Sequence, residues 1–168
     1  ETIALAIEAA ATGHLVLATV HSGSCAEALQ RVVLAFPSDI QDNISAQLAD
    51  CLVGVVCQRL RYRPDLSLRV PECEILRPTN SVKTFIRNRD FFKITSSLET
   101  GAEHGMWTLP RYRAWLDSRK NWYRRNSRQS FQGGQREAVI VAQELVGFGS
   151  DCKSSSRTRT GPGMNPPI

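Results

Sequence analysis

No G-x-x-x-x-G-K-[ST] stretch occurs anywhere in the 168 residues. The chain has four lysines, Lys83, Lys93, Lys120 and Lys153, and none follows a glycine. A degenerate phosphate loop is thereby excluded too, because such a cradle needs Gly-rich backbone amides and a lysine that reaches the β and γ phosphates. No apolar run approaches the ~18 residues of a membrane-spanning helix. The first residues carry no basic segment and do not read as a signal peptide. The five cysteines, Cys25, Cys51, Cys57, Cys73 and Cys152, are odd in number and form no C-x-x-C pair. The first four suit buried, reduced thiols in a cytosolic protein, with a zinc site the weaker reading, and no metal ligand is assigned. No internal repeat is visible.

What is present describes a globular chain. Apolar residues make up 42% and charged residues 22%, ordinary values for a folded domain with one core. The net charge of +5 is unevenly placed. Residues 1–110 hold 10 Lys/Arg against 12 Asp/Glu, and residues 111–168 hold 11 against 4. The first part is nearly neutral and the basic character belongs to the tail.

An Ala-rich helix runs into Thr12-Gly13, where glycine supplies a left-handed cap. Leu15 to Val20 is continuously apolar or nearly so, which predicts a strand buried on both faces, as in a parallel sheet. His21 follows at the carboxyl end of that strand, where ligands of open α/β sheets bind. Ser24-Cys25-Ala26-Glu27 has the form of a capping box, and Leu29, Val32, Val33 and Phe36 repeat at helical spacing. Ser38-Asp39-Ile40-Gln41 has the form of a second box, ahead of a helix with Ile40, Ile44, Leu48 and Leu52 on one face. Val55 to Leu60 and Leu66 to Val70 predict a hairpin around Pro64-Asp65, the second strand continuing toward Leu76. Helices are expected over Ser81 to Arg89, over Phe91 to Glu99 with Asp90 as cap, and from Thr108 onward with Tyr112, Trp115 and Leu116 inward. Gly101 to Gly105 is a loop. Arg136 to Val146 is expected to make a short helix, and Ser154 to Ile168 to be disordered.

The run from Thr12-Gly13-His14 to Thr19-Val20-His21-Ser22 resembles the histidine box of the type II/IV secretion ATPases. Its two histidines have the family's seven-residue spacing. Glu1-Thr2-Ile3 resembles the end of that family's Arg-Asp-x-Glu-Thr-Ile segment. Thr79 to Asn88 resembles its C-terminal helix motif, and Met106-Trp107-Thr108-Leu109 its Met-x-Thr-Leu element. The similarity covers roughly residues 1–118 and is closest to the PilT-like branch, which includes pilus retraction motors and the DotB-type and TraJ-type plasmid transfer ATPases. It implies an α/β fold: the C-terminal half of a RecA-like P-loop ATPase core over residues 1–76, a helical subdomain over 77–118, and a basic, largely disordered tail over 119–168. It implies ATP and Mg²⁺ as cofactors of a longer parent, with the phosphate loop and acidic strand upstream of Glu1, and an inactive isolated fragment. It also implies a homo-hexamer, located in the cytoplasm at the periphery of the inner membrane, working on a secretion or conjugation complex.

The same resemblance makes His21 the candidate catalytic residue, near the γ-phosphate as a sensor or positioner rather than a base. Charge stabilisation would come mainly from Mg²⁺, the phosphate loop and arginines. A satisfied core histidine is the plainer reading of His21. Thr19 and Ser22 flank it as candidate nucleotide-binding hydroxyls, or as groups that satisfy local backbone. His14 lies about 22 Å away along an extended strand and is structural, inter-subunit or a helix cap. His104 is a solvated loop residue. Val82, Phe85, Ile86 and Arg87 keep the character of the family's motor-surface helix, while Ser81, Lys83, Thr84 and Asn88 depart from it. Those departures favour secretion or conjugation over pilus retraction; an ordinary packing helix is the alternative. The basic, aromatic run Arg111 to Arg128 suits single-stranded nucleic acid or an anionic membrane surface, and equally an exposed helix face with a tail. Nucleic acid is not expected as a direct partner. The competing functions are a non-catalytic interaction fragment and a nucleic-acid binder acting through the tail.

Overall fold

The computed structural model describes residues 2–65, 67–119 and 137–142. Among them lie six α-helices and four strands. Helix α1 (Thr2–Ala11) ends as the sequence predicts. Gly13 sits at φ 92°, and the amides of Gly13 and His14 donate to Ala10 and Ala9 carbonyls at 3.1 and 3.0 Å. This paired closure satisfies carbonyls that the helix end would leave unpaired. Strand β1 (Val16–Val20) follows, then α2 (Cys25–Leu34) and α3 (Gln41–Cys51). Ser24 caps α2 by accepting the Glu27 amide at 3.2 Å, as the capping box requires. The second box does not form. Gln41 is the first residue of α3, and its side-chain amide donates to the Phe36 carbonyl at 2.8 Å, tying the α2–α3 turn instead.

The predicted hairpin is present as β2 (Leu52–Arg63) and β3 (Leu68–Leu76), paired antiparallel. Gly54 lies where the register of β2 shifts, and a Cβ there would meet the Leu76 carbonyl oxygen at 3.3 Å. Glycine suits a bulge with so close a backbone approach. Helices α4 (Asn80–Arg87), α5 (Lys93–Thr100) and α6 (Leu109–Ser118) complete the ordered succession. A 3₁₀ turn over Gly101–His104 replaces the expected loop. Thr79 and Thr108 cap α4 and α6. Asp90 does not cap α5; its carboxylate pairs with Lys93 at 2.6 Å.

Three further expectations are corrected. The helix expected over 136–146 gives way, where that stretch is described, to strand β4 (Glu137–Ala142), placed between β1 and β2 and antiparallel to both. The β-branched Val139-Ile140-Val141 favours a strand where two ladders are available. The four-stranded sheet, ordered β1-β4-β2-β3, therefore has only antiparallel neighbours, not the parallel ones expected. Nor is β1 buried on both faces. It is an edge strand whose Leu17 is 68% exposed, with Leu15 just before it at 61%. The remainder of the expected tail beyond Arg119 lies outside the described residues.

One apolar cluster runs through the fold, from Ile7 through Leu29, Val33, Leu48 and Val55 to Val82, Ile86, Ile94, Leu98 and Met106. The helical stripes read from the sequence supply most of it.

Candidate functional site

The turn His21–Ser24 joins β1 to α2 and is fixed from three sides. From α2, Arg31 Nη1 donates to the His21 carbonyl at 2.7 Å, and Glu27 Oε2 accepts the Gly23 amide at 2.8 Å. Arg31 and Glu27 also pair with each other at 2.8 Å. From β2, Arg59 Nη2 donates to the Gly23 carbonyl at 3.4 Å and the Cys57 thiol to the Ser22 carbonyl at 3.5 Å. From β3, Glu74 Oε1 accepts the Cys25 amide at 2.7 Å. The backbone of His21 is thus held while its side chain is exposed.

His21 and Thr19 open onto one cleft of about 600 Å³, whose walls come from α1, β1 and α2, with Leu48 of α3 and Ile140 of β4. Ser22 is not part of it. Its hydroxyl is buried, donates to the Ser24 carbonyl at 2.8 Å and accepts the Ser24 amide at 3.3 Å. Of the two hydroxyls flanking His21, one faces the cleft and one is spent on the turn. His14 stands before β1, at the other end from His21, with Nδ1 3.1 Å from Thr12 Oγ1.

The electrostatics of the turn come from its hydrogen bonds. The Gly23 amide holds the Glu27 carboxyl below the usual range, with Arg31 adding to the effect. Burial pushes the Cys25 thiol far up, and the Glu74 carboxylate beside it adds to that. Burial likewise raises the Cys57 thiol. These are inert thiols, not nucleophiles.

The predicted cofactors do not fit these residues alone. A helix N-terminus facing a sheet end is a ready anion site, but the Glu74 carboxylate already takes the Cys25 amide at the start of α2. Arg31, the cation in the cleft, is committed to Glu27 and to the His21 carbonyl. What remains for a phosphate is the His21 imidazole and the Thr19 hydroxyl, set in apolar walls. Among the described residues no cluster of His, Cys, Asp or Glu could hold a metal ion.

Helix α4 turns Val82 and Ile86 fully into the core, with Phe85 half-buried against it. Its basic residues face α3 rather than standing free. Arg87 pairs with Asp50, Lys83 Nζ donates to the Asp50 carbonyl at 3.3 Å, and Arg89, just beyond the helix, reaches Asp42 at 3.0 Å. Lys83 also lines an open cleft of about 730 Å³ with Arg77, Thr79 and His104, the last exposed as expected.

Sequence reasoning missed one polar centre. Glu72 on β3 is fully buried and carries two arginines: Arg61 of β2, and Arg113 of α6 through Nε and Nη2 at 2.8 and 2.9 Å. Asp117, one turn on from Arg113, receives Arg61 at 2.6 Å and Arg63 at 3.2 Å. The signal was available in the alternating Arg59, Arg61 and Arg63 and in the i, i+4 pair Arg113/Asp117.

Comparison with known proteins bears on this geometry. The family model described as type II/IV secretion system protein matches residues 1–104. A twitching motility protein of Neisseria gonorrhoeae is 38% identical over 109 residues, covering 65% of this chain and 29% of its own. The type IV pilus retractation ATPase PilT of Pseudomonas aeruginosa is 37% identical over 109 residues, covering 65% and 31%. An uncharacterized protein of Escherichia coli, YggR, is 40% identical over the same length, covering 65% and 33%. The chain spans about a third of the length of these curated relatives. The strand ending in His21, the hairpin and helices α1 to α5 all fall within the matched stretch, and the chain belongs to the type II/IV secretion system protein family.

Proposed function

We propose that these residues form the histidine-bearing C-terminal part of a RecA-like ATPase that works on an inner-membrane secretion or conjugation assembly. The observation that carries the reading is the His21 turn. A family strand ends in an exposed imidazole whose backbone is clamped by Arg31, so the ring is presented from a rigid base. Rigidity suits a group that positions or senses a phosphate rather than one that shuttles protons. ATP and Mg²⁺ would be held mainly by sequence outside these 168 residues, since the His21 cleft offers only His21 and Thr19. No reaction step is assigned to them. A homo-hexameric ring at the cytoplasmic periphery of the inner membrane is part of the proposal; among the described residues no helix is long and apolar enough to cross a membrane.

The relatives whose names state a role are named for twitching motility or for type IV pili. The choice of secretion or conjugation over pilus retraction rests on α4, where Ser81, Lys83, Thr84 and Asn88 depart from the retraction motif. The reading is tested in an ATPase chain that contains this segment in frame behind a phosphate loop. There His21→Ala lowers turnover at least ~10-fold, about 1.4 kcal/mol of barrier, with an unchanged melting temperature. An unchanged rate reduces His21 to a structural residue. Residues 1–168 alone should show no ATP turnover above blank, and metal-dependent turnover abolished by His21→Ala would overturn the division of labour proposed here.

A further inference from the structure

Strand β4 holds a position that the family-matched segment leaves open. Strands β1 and β2 both lie within residues 1–104, which match the family model, and Glu137–Ala142 lies outside them. Both strands run antiparallel to β4, so they are parallel to each other and one strand apart. Adjacent strands sit about 4.8 Å apart, which makes the gap about 10 Å wide. Among the described strands β1 has no other partner. All five of its residues, Val16 to Val20, are in register with Ala142 to Ala138. On the other side β4 spans Leu52 to Gln58, and Ile140 enters the main core at 5% exposure. A relative that shares β1 and β2 without this strand must satisfy both ladders from elsewhere in its chain, because buried backbone groups left unpaired are costly.

We infer that Glu137–Ala142 is a plug: it fills the central strand position of this sheet, and its seating and the entry of a strand from the rest of a secretion-ATPase chain exclude one another. The second half of that statement rests on the proposed function; the first rests on the topology. Strand addition of this kind is driven by main-chain hydrogen bonds and by pockets for alternate side chains. The slot offers both, two facing ladders and the core site now taken by Ile140.

The test uses the full chain, its Ile140→Asp variant and a fluorescently labelled synthetic peptide with the sequence of residues 136–143. The unaltered chain should not take up the peptide. In the variant, amides of Val16–Val20 should exchange at least ~10-fold faster while those of α3 and α4 keep their protection. Added peptide should bind and restore the protection of β1. Equal uptake by both proteins, or a folded variant whose β1 the peptide does not protect, overturns the inference. A second measurement needs no substitution: in the native chain, the amides of β1 cannot outlast those of Glu137–Ala142, their only strand partner among the described residues. Slower exchange in β1 than in β4 likewise overturns it. Nucleotide turnover enters neither readout, so the plug and the ATPase reading can fail separately.

Discussion

Replacing Arg113 with alanine removes one of the two cations held by buried Glu72. Two hydrogen bonds are lost, at 2.8 and 2.9 Å, both to a carboxylate with no exposure of its own. Hydrogen bonds to charged groups contribute roughly 1.5–3 kcal/mol. Stripping a buried acid of every partner costs roughly 3–5 kcal/mol. Neither bound applies in full. Arg61 remains beside Glu72, and the Arg113 side chain is 49% exposed, so water screens the pair that is lost. Arg113→Ala should therefore destabilise the fold by about 1.5–2 kcal/mol. Glu72→Ala should cost a similar amount, since both arginines it frees can turn to solvent. In the double variant the two losses overlap, with a coupling of about 1–1.5 kcal/mol. Urea unfolding at constant m-value reads this directly as a shift of roughly 0.5–1 M in midpoint. The coupling should survive 1 M salt, because the acid is buried. The control is Asp117→Asn, whose side chain is 47% exposed and which should cost less than ~1 kcal/mol. Additivity of Arg113→Ala and Glu72→Ala within ~0.5 kcal/mol would show that α6 is not held by this acid and would refute the reasoning.

Gly13→Ala should destabilise by about 1 kcal/mol in thermal or urea melts, because its φ of 92° lies where a Cβ is strained; Gly13→Asn should recover part of the loss. The Glu27 carboxyl is held below its unfolded range by the Gly23 amide and Arg31, so the unfolded chain takes up its proton first as pH falls. Its contribution is present above the ordinary carboxylate range and disappears below it, and Glu27→Gln should flatten that acid limb in urea midpoints. The Cys25 thiol is raised by burial and by Glu74, so it stays neutral in the fold after the unfolded thiol has ionised. Its contribution is complete below the ordinary thiol range, about pH 8.5, and is lost progressively above it. Urea midpoints should fall between pH 8 and 10, less steeply in Cys25→Ala, and a native-state alkylating reagent should leave Cys25 unmodified.

Local signals were the ones the sequence carried well. Ser24 to Glu27 capped a helix because a Ser hydroxyl and an amide three residues on meet without help from elsewhere. Gly13 closed α1 for the same reason. The stripes Leu29/Val32/Val33 and Ile44/Leu48 became core because helical periodicity decides which face is apolar before any partner is known. The failures were all questions of partner. Leu15 to Val20 has the composition of a doubly buried strand, yet burial requires neighbours on both sides and both faces, and among the described residues β1 has one strand neighbour. Arg136 to Val146 has no strong period of its own; Val139-Ile140-Val141 became a strand because two ladders separated from it by more than 80 residues were open. Ser38 to Gln41 met the spacing of a capping box, but the helix began at Gln41 and the glutamine found Phe36. Ser22 resembled a site hydroxyl by position, and its burial in the turn depends on Cys57 and Ser24 in three dimensions.

Glu74 shows why the candidate site was the least legible part. A strand end followed by a capped helix is an arrangement that can take a phosphate at the helix's first turn. In the fold that first amide is taken by a carboxylate 49 residues away, at 2.7 Å. The negative end of Glu74 already meets the positive end of the helix dipole, and a second anion would have to overcome its charge at close range. A phosphate group belonging to this site must therefore approach from the exposed side, toward His21 and Thr19, and not through the start of α2. That is a statement about substitution as well. Glu74→Gln should keep the hydrogen bond to the Cys25 amide while removing the charge. The α2 N-terminus of that variant should bind inorganic phosphate or sulfate more tightly than the native chain, read from chemical shifts of the Cys25 and Ala26 amides. Equal, undetectable binding in both would mean that geometry, and not the Glu74 charge, closes the helix end to anions.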